Sequence, residues 1–310
     1  MHIAQVQSWP EGPRYVSVAD PPAPTAGQTQ LRVLAAGLHQ VVRSRASGNH
    51  YSAKTLPHIL GVDAVAKDEA TGQLYYVMDF GDGNGTFRDY INVDKENNVV
   101  IPLPEGVDPI NFAASVNPAM SSWMAITQRT DKLPKDFTVL ILGATSASGR
   151  LAVYAAKALG AGKVVGAARS AETLKGVEGL DDSITFKDPI TDTDFSQADA
   201  DVILDYVFGD VAQHVLSTIK TKKPVQYVQI GTLSQEAEID LSGPLLRSTN
   251  LTIRGAGPGS WRLSALVVEL KTLVPVMAKW PQLGATVVPL RDIETAWSDR
   301  SIKGRIVYVP

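Results

Sequence analysis

The sequence predicts an α/β protein of two domains, one built on a doubly wound parallel sheet and the other β-rich and barrel-like. From Phe137 to Gly255, short apolar strand patterns alternate with helical patterns, which is typical of a parallel sheet with helices on both faces. The first third of the chain instead has short β-branched segments between Pro- and Gly-rich turns. A length of 310 residues allows each domain a core of its own.

The β-rich domain is predicted from four strand patterns near the start of the chain. These are "IAQV", "QLRVLAAGL", "LYYVMDF" and "FRDYINVD", and the turns "DPPAPTAG" and "GDGNG" separate them. The last segment, "GRIVYVP", is predicted as an edge strand. We therefore assign residues 1–118 and 258–310 to this domain.

The parallel-sheet domain, residues 119–257, is predicted from five buried-strand patterns: "FTVLIL", "KVVGAA", "DVILDYV", "VQYVQIG" and "LTIRG". Between the first two, apolar residues at helical spacing from Leu151 to Leu159 predict a helix with one apolar face. A later helical stretch, "RLSALVVELKTLVPVMAKW", is predicted to be interrupted at Pro275, because proline lacks the backbone donor that a helix needs.

Composition excludes several classes of function. The net charge of -3 gives no basic field for nucleic acid, and "KTKK" at Lys220 to Lys223 is predicted to be a solvated turn. The chain has no run of 18 apolar residues and no leader pattern at its start, so we expect a cytoplasmic protein without a membrane partner. The absence of cysteine excludes disulfides, a cysteine nucleophile and thiolate-ligated metal sites.

The segment "GATSASG" lies where a strand, a turn and a helix are predicted to meet. In a dinucleotide-binding fold, backbone N–H groups and the start of a helix face the pyrophosphate at this point. With the last glycine of G-x-G-x-x-G placed at Gly149, Ala144 and Ser146 occupy the other two glycine positions. Both are small, and the hydroxyls of Thr145, Ser146 and Ser148 can donate to phosphate oxygens. Small residues occur in such turns of other α/β proteins, so the loop alone leaves nucleotide binding open.

The end of the next predicted strand distinguishes between nucleotides. An NAD site carries an acidic residue there to bind the ribose 2′-hydroxyl, whereas this chain has Arg169 and Ser170. A guanidinium pairs with a 2′-phosphate, so the pattern favours NADPH. The alternative is an arginine that only covers the strand end.

The segment "FTVLILGATSASGRLAVYAAKALGAGKVVGAARS" resembles the cofactor domain of the medium-chain dehydrogenase/reductases, specifically the zinc-free quinone oxidoreductases that use NADPH. Further segments match family landmarks in family order along nearly the whole chain, among them "AAGLHQVVRSRASGNHY", "LPHILGVDAVA", "VQIGTLS" and "KGRIVYVP". The resemblance implies a Rossmann cofactor domain, a GroES-like barrel and an active cleft between them. It leaves a homodimer open.

The zinc-dependent alcohol dehydrogenases of this family bind a catalytic metal through Cys, His and Cys. The resemblance places those three positions at His39, Val62 and Asn117, and one potential ligand in three cannot hold zinc. We therefore expect no metal. Without a Lewis acid, the expected acceptor is one that conjugation already activates, such as a quinone or an α,β-unsaturated ketone.

The resemblance also implies roles for individual residues. His39 and Tyr51 line the acceptor cleft, where either can hydrogen-bond a carbonyl oxygen and His39 can supply a proton, unless both only form the cleft wall. The cofactor-binding residues are Ser121, Gly143, Ala144, Thr145, Ser146, Ala147, Ser148, Gly149, Arg169, Ser170, Asp205, Val207, Gly231, Thr232 and Arg305. For Asp205 the alternative is a residue that ties adjacent loops together, and for Arg305 it is a surface role.

The predicted function is therefore hydride transfer from NADPH to a quinone or an α,β-unsaturated carbonyl, without a metal. Two alternatives are open. One is an enoyl-thioester or alkenal reductase, which applies the same hydride chemistry to another acceptor. The other is a non-catalytic, NADPH-binding protein that acts as a redox-responsive regulator. The sequence does not identify the acceptor.

Overall fold

The computed structural model describes residues 1–94, 96, 98–219, 223–302 and 304–310. It divides into two compact units, residues 1–117 with 270–310 and residues 118–269. Of the predicted "KTKK" turn, Lys220, Thr221 and Lys222 lie outside the described residues. Among the described residues, no helix has the length and apolar character that a membrane crossing needs.

The strands of the first unit form two sheets. They are β1 (His2–Val6), β2 (Pro13–Ser17), β3 (Gln28–Gly37), β4 (His58–Ile59), β5 (Asp63–Lys67), β6 (Leu74–Met78), β7 (Tyr90–Asp94), β8 (Val99–Pro102), and, from the end of the chain, β15 (Thr286–Pro289) and β16 (Ile306–Val309). The order is β2-β1-β4 in one sheet and β15-β16-β3-β5-β6-β8 in the other, where β7 also pairs with β3. This is the predicted β-rich architecture.

The second unit contains one parallel sheet of six described strands. They are β9 (Thr138–Leu142), β10 (Lys163–Ala168), β11 (Asp182–Thr185), β12 (Val202–Asp205), β13 (Val225–Gln229) and β14 (Leu251–Gly255). Their order is β11-β10-β9-β12-β13-β14, and every pairing is parallel. Renumbered within the unit, this order is 3-2-1-4-5-6, the order of a Rossmann fold. The predicted fold class is confirmed.

The helices are α1 (Gln40–Ala46), α2 (Pro109–Arg129), α3 (Ala147–Ala158), α4 (Ala171–Lys175), α5 (Gly209–Thr218), α6 (Gly243–Ser248), α7 (Leu263–Met277) and α8 (Ile293–Ala296). The parallel sheet is buried on both faces, because successive residues of β9 pack into different cores. Val139 and Ile141 belong to one hydrophobic cluster, and Leu140 and Leu142 belong to the other. This explains why the strand is apolar at every position.

Three sequence expectations differ from the structure. Strand β16 is not an edge strand: β15, which the sequence patterns did not reveal, pairs with its outer side. Helix α7 is not interrupted at Pro275 but continues to Met277, since a proline in the last turn removes only one hydrogen bond. The division expected after residue 257 falls instead at 269/270, inside α7, which the sequence treated as part of one domain.

Candidate functional site

The candidate nucleotide site lies where the strand order of the parallel sheet reverses. β9 has β10 on one side and β12 on the other, and Leu142 and Asp205 are register partners at the ends of β9 and β12. The loops that follow these two strands therefore start side by side. In open α/β sheets, ligands bind in the crevice that forms at this switch point.

The "GATSASG" loop is tied together by Ser146. This residue is the N-cap of α3: its hydroxyl accepts from the N–H of Gly149 at 3.0 Å and donates to the carbonyl of Gly143 at 2.8 Å. The single hydroxyl proton is thus used inside the loop. In this geometry the Ser146 side chain caps the helix, and its contact with a phosphate stays a prediction.

Other groups of the loop are free to bind an anion. In the part of the chain that the structure describes, the backbone N–H groups of Thr145, Ala147 and Ser148 and the hydroxyls of Thr145 and Ser148 have no hydrogen-bond partner. They lie at the N-terminus of the twelve-residue helix α3, where the helix dipole favours negative charge. This donor set fits the pyrophosphate of a dinucleotide.

Gly149 allows the loop to pack closely against the strand. A Cβ atom at this position would lie 2.3 Å from the carbonyl oxygen of Gly143 and 2.7 Å from Cα of Ala144. Gly143 itself has a φ of +87°, a conformation that L-residues with side chains rarely adopt. Ala144 is completely buried. The structure thus explains both glycines: Gly143 by its positive φ and Gly149 by its close packing. Ala144 is small enough for its completely buried position.

Arg169 and Ser170 follow β10 and are both exposed. Arg169 lines an open groove of ≈ 800 Å³ together with Phe186, Lys187 and Asp188. The Ser170 hydroxyl caps α4 by accepting from the N–H of Thr173 at 3.2 Å, and its proton is still available to a ligand. The groove therefore contains two cations, Arg169 and Lys187, together with the carboxylates of Asp188 and Asp210. The sequence analysis had not singled out Lys187.

Asp205 is fully buried and holds the loop after β12 in place. Its carboxylate accepts from the N–H of Val207 at 2.7 Å, from the N–H of Phe208 at 3.0 Å, and from the hydroxyl of Tyr227. Burial raises the pKa of Asp205, and the same hydrogen bonds oppose that increase. The pKa of Tyr227 is raised far above its usual value by burial and by the charge of Asp205, so this phenol is a donor. The alternative role, in which Asp205 ties the loop, is the one that these contacts support.

The loop that Asp205 stabilises is strained. Phe208 has a φ of +63° and a ψ of -163°, a conformation that costs about 1–3 kcal/mol in a residue other than glycine.

The N–H of Ser234 donates to the carbonyl of Val207 at 2.9 Å, which joins this loop to the one after β13. In that second loop, a Cβ at Gly231 would lie 3.1 Å from the carbonyl oxygen of Tyr206, and Thr232 is exposed. Val207, Gly231 and Thr232 therefore belong to two connected loops at the switch-point edge.

Ser121, on α2, lies beside the same loop. Its hydroxyl donates to the carbonyl of Pro118 at 2.6 Å and lies 3.1 Å from the hydroxyl of Tyr206. Burial raises the pKa of Tyr206 to about 12, so Tyr206 stays protonated and donates to Ser121. Ser121 retains one acceptor site for a ligand.

His39 is buried in the first unit within a polar cluster. Its Nε2 lies 2.6 Å from Oδ1 of Asp63, and the hydroxyl of Tyr76 donates to Oδ2 of the same carboxylate at 2.9 Å. His39 precedes α1 but makes no capping hydrogen bond, so its ring is free to point at Asp63. Its Nδ1 is buried and has no partner among the described residues.

Arg305 and Tyr51 differ in how far they are exposed to solvent. The Nε of Arg305 donates to the carbonyl of Ala114 at 3.0 Å, and its Nη2 is buried without a partner among the described residues. Burial lowers the pKa of Arg305, which the charge of Asp63 opposes. Tyr51 is 62% exposed, and its ring lies 4.2 Å from that of His50. Arg305 is thus half-buried, whereas Tyr51 is exposed.

The three positions that the resemblance aligns with zinc ligands hold His39, Val62 and Asn117. Val62 is completely buried, and Asn117 contacts the hydroxyl of Tyr76. Within the residues that the structure describes, no group of three His, Asp or Glu side chains is arranged to hold a metal ion. His39 instead pairs with Asp63, the residue next to Val62.

Asp63 and Tyr76 were missed from the sequence. Asp63 directly follows Val62, which occupies one of the aligned zinc-ligand positions in "GVD". Its place beside that position was the one signal in the sequence. Tyr76 gave none, because it lies in an apolar strand. It comes near Asp63 since β5 and β6 pair antiparallel with Val65 opposite Tyr76, which makes Asp63 and Tyr76 diagonal neighbours on one face.

Comparison with known proteins agrees with this architecture. No protein-family model matches the chain. The chain is 38% identical to the probable NADPH-dependent quinone reductase tdiC of Emericella nidulans, over an alignment of 359 residues that covers 100% of both chains.

Solved structures share the fold. The quinone oxidoreductase of Thermus thermophilus, also solved in complex with NADPH, matches with a TM-score of 0.79 and 24% identity over 100% of both chains. That of Pseudomonas syringae pv. tomato matches with a TM-score of 0.80 and 21% identity, over 100% of this chain and 99% of the other. A thermostable alcohol dehydrogenase of Pyrobaculum aerophilum also matches, with a TM-score of 0.76, 22% identity and the same coverage. The fold alone therefore does not select the acceptor.

Proposed function

Because the chain belongs to the quinone oxidoreductase branch of the medium-chain dehydrogenase/reductase superfamily, we propose that it is an NADPH-dependent quinone reductase that needs no metal ion. The observation that carries this proposal is the pairing of an anion-binding loop, Gly143 to Gly149, with Arg169 at the end of the next strand. Full-length identity of 38% to a probable NADPH-dependent quinone reductase supports the same activity.

The cofactor assignment rests on charge and on unpaired donors. The N–H groups of Thr145, Ala147 and Ser148 bind the pyrophosphate, and Arg169 pairs with the 2′-phosphate with help from Ser170 and Lys187. The strand end has no carboxylate for the 2′-hydroxyl of NADH. Bound NADPH supplies a hydride. Ser121, Val207, Gly231 and Thr232 line its remaining surface, and Asp205 holds the Val207 loop in position.

The acceptor assignment follows from the missing Lewis acid. Val62 and Asn117 cannot replace two zinc ligands, so the reaction needs an acceptor whose carbonyl is already activated by conjugation. A quinone meets this requirement. His39 is our candidate for the residue that hydrogen-bonds and protonates the acceptor oxygen, and the exposed Tyr51 is a second candidate donor.

A panel of acceptors tests the activity. Purified protein should oxidise NADPH fastest with benzoquinones and naphthoquinones and more slowly with enones, alkenals and an enoyl thioester. A chelator should leave these rates unchanged, and elemental analysis should detect no stoichiometric zinc. The control is the same panel with NADPH and without protein.

The panel also separates the alternatives. A preference for an alkenal or an enoyl thioester over every quinone would assign the chain to that class of reductase. Tight NADPH binding without turnover of any acceptor would favour a non-catalytic regulator. Chelator-sensitive turnover with stoichiometric zinc would contradict metal independence.

We also propose a homodimer that forms along the edge of the parallel sheet. Strand β14 ends that sheet and has no described neighbour on its outer side. Ile253 on this strand is 37% exposed, and Leu241 and Leu246 nearby in the chain are 41% and 49% exposed. An edge strand with exposed apolar side chains is suited to pairing with a second copy. The cytoplasmic location stays a sequence prediction.

A further inference from the structure

His39, Asp63 and Tyr76 form a chain of hydrogen bonds inside the first unit. The carboxylate of Asp63, which is fully buried, is bonded by Nε2 of His39 through one oxygen and by the hydroxyl of Tyr76 through the other. Tyr76 is also fully buried, and burial together with the charge of Asp63 raises its pKa well above the usual value. Tyr76 is therefore a permanent donor to Asp63.

This arrangement determines which nitrogen of His39 can react. An ionised carboxylate accepts hydrogen bonds and donates none, so Nε2 must carry a proton. Nδ1 is left as the atom that gains or loses a proton. It is buried and has no partner among the described residues, and His39 as a whole is only 7% exposed. A buried polar atom without a partner is destabilising, and a hydrogen bond to a bound ligand removes that penalty.

The charges around the pair come from three elements. Asp63 lies on β5 and Tyr76 on β6, while Arg305 precedes β16 and interacts with both of them electrostatically. Asn117 contacts the Tyr76 hydroxyl. Asp63 therefore offsets the positive charge of Arg305 and also that of His39 when the ring is protonated. Without this carboxylate, a protonated His39 would be a buried charge without its anionic partner.

We propose that Asp63 is the positioning residue of the reaction, which orients the His39 ring and stabilises its charged form so that Nδ1–H protonates the acceptor. The proposal deepens the proposed function and rests on it. Tyr76 supports Asp63 from the other side, by fixing the second carboxylate oxygen.

The reaction balances with the cofactor already assigned. Reduction of a quinone to a hydroquinone takes one hydride from NADPH, which carries two electrons, and one proton. The N–H bond at Nδ1 of His39 breaks as an O–H bond forms on the quinone oxygen. His39 becomes neutral, keeps Nε2–H bonded to Asp63, and regains a proton from water.

The test replaces Asp63 by asparagine, which keeps the shape and removes the charge. We expect Asp63→Asn to lower kcat about 10- to 100-fold, less than the roughly 100- to 10,000-fold that a general acid itself contributes, because Asp63 acts through His39. The Kd of NADPH should stay within about twofold of wild type, because the nucleotide site lies on other elements. Tyr76→Phe leaves the charge of Asp63 in place and should lower kcat less than Asp63→Asn does. Asp79→Asn is the matched control: Asp79 is also buried, but it binds the backbone N–H of Gly81 at 2.8 Å and not a histidine.

A second readout does not depend on turnover. Nitrogen-15 NMR of the histidine rings, with His39→Gln to assign the signals, reports which nitrogen carries the proton. We expect neutral His39 to be protonated at Nε2 in the wild type and to lose that preference in Asp63→Asn, because an amide can donate as well as accept. If that variant does not fold, Asp63→Ser provides the same comparison, since it also removes the carboxylate.

The two readouts separate the possible failures. A wild type that reduces no quinone would overturn the proposed function, and the NMR measurement would still show whether Asp63 fixes the tautomer of His39. An unchanged His39 tautomer in Asp63→Asn, or an unchanged kcat in an active enzyme, would overturn the positioning role. A loss of kcat in Asp79→Asn equal to that in Asp63→Asn would also overturn it, because the effect would then be a general consequence of disturbing the unit.

Discussion

Replacing Arg169 by alanine should weaken NADPH binding about 10- to 100-fold, because each charge-assisted hydrogen bond to the 2′-phosphate contributes roughly 1.5–3 kcal/mol. NADH lacks that phosphate, so its Kd should change less than about threefold. Arg169 is exposed, and the effect on NADPH should therefore shrink at high salt as the ion pair is screened. Fluorescence or calorimetric titration with both cofactors measures this.

The control for this variant is Lys175→Ala. Lys175 is an exposed cation in the last turn of α4, and it does not line the groove that contains Arg169. The substitution removes the same net charge and should leave both affinities unchanged. Equal losses for NADPH and NADH in Arg169→Ala would show that the guanidinium does not bind the 2′-phosphate.

Gly149→Ala should destabilise the parallel-sheet unit by about 2 kcal/mol or more and weaken NADPH binding at least tenfold, because the new methyl group would overlap the backbone of Gly143 and Ala144. The direction of the stability change distinguishes this packing effect from helix propensity. Gly149 lies within α3, where helix propensity alone favours alanine over glycine by about 1 kcal/mol. Chemical denaturation and NADPH titration measure the two effects.

Gly176→Ala is the matched control for this second prediction. Gly176 ends α4 with a negative φ of -86°, and a Cβ there would meet its nearest neighbour, the carbonyl oxygen of Thr173, at an ordinary 3.5 Å. Stability and NADPH affinity should both stay near wild type. A stabilised Gly149→Ala with normal affinity would mean that the loop can move away from the strand and that close packing is not required.

The parallel-sheet unit could be predicted from sequence because its signals are local. Each buried strand is a short apolar run, and the loop and Arg169 follow their strands at fixed places, so alternation alone indicated the architecture. Strand β16 was assigned to an edge for the opposite reason. Its outer neighbour, β15, is the four-residue segment Thr286–Pro289 with mostly exposed side chains, which has no apolar pattern.

The candidate site could be predicted only for residues whose roles follow from their spacing along the chain. The loop residues and Arg169 came from motif spacing, whereas the pairing of His39 with Asp63 and Tyr76 depends on strand register, which sequence patterns do not reveal. The hydroxyl of Ser146 shows a second limit. Its residue type suits a phosphate contact and a helix cap equally well, and only the geometry of the loop shows that it caps α3.

Reduction of a quinone by NADPH at this site can be measured by anaerobic stoichiometry. Purified protein is mixed with limiting NADPH and excess quinone, and the hydroquinone formed is quantified against the NADPH consumed, with a parallel series that uses NADH. We expect one hydroquinone for each NADPH, with a kcat/KM for NADPH at least about tenfold above that for NADH, on the scale of one charge-assisted hydrogen bond. A protein that binds NADPH but forms no hydroquinone, or one that prefers NADH, would contradict it.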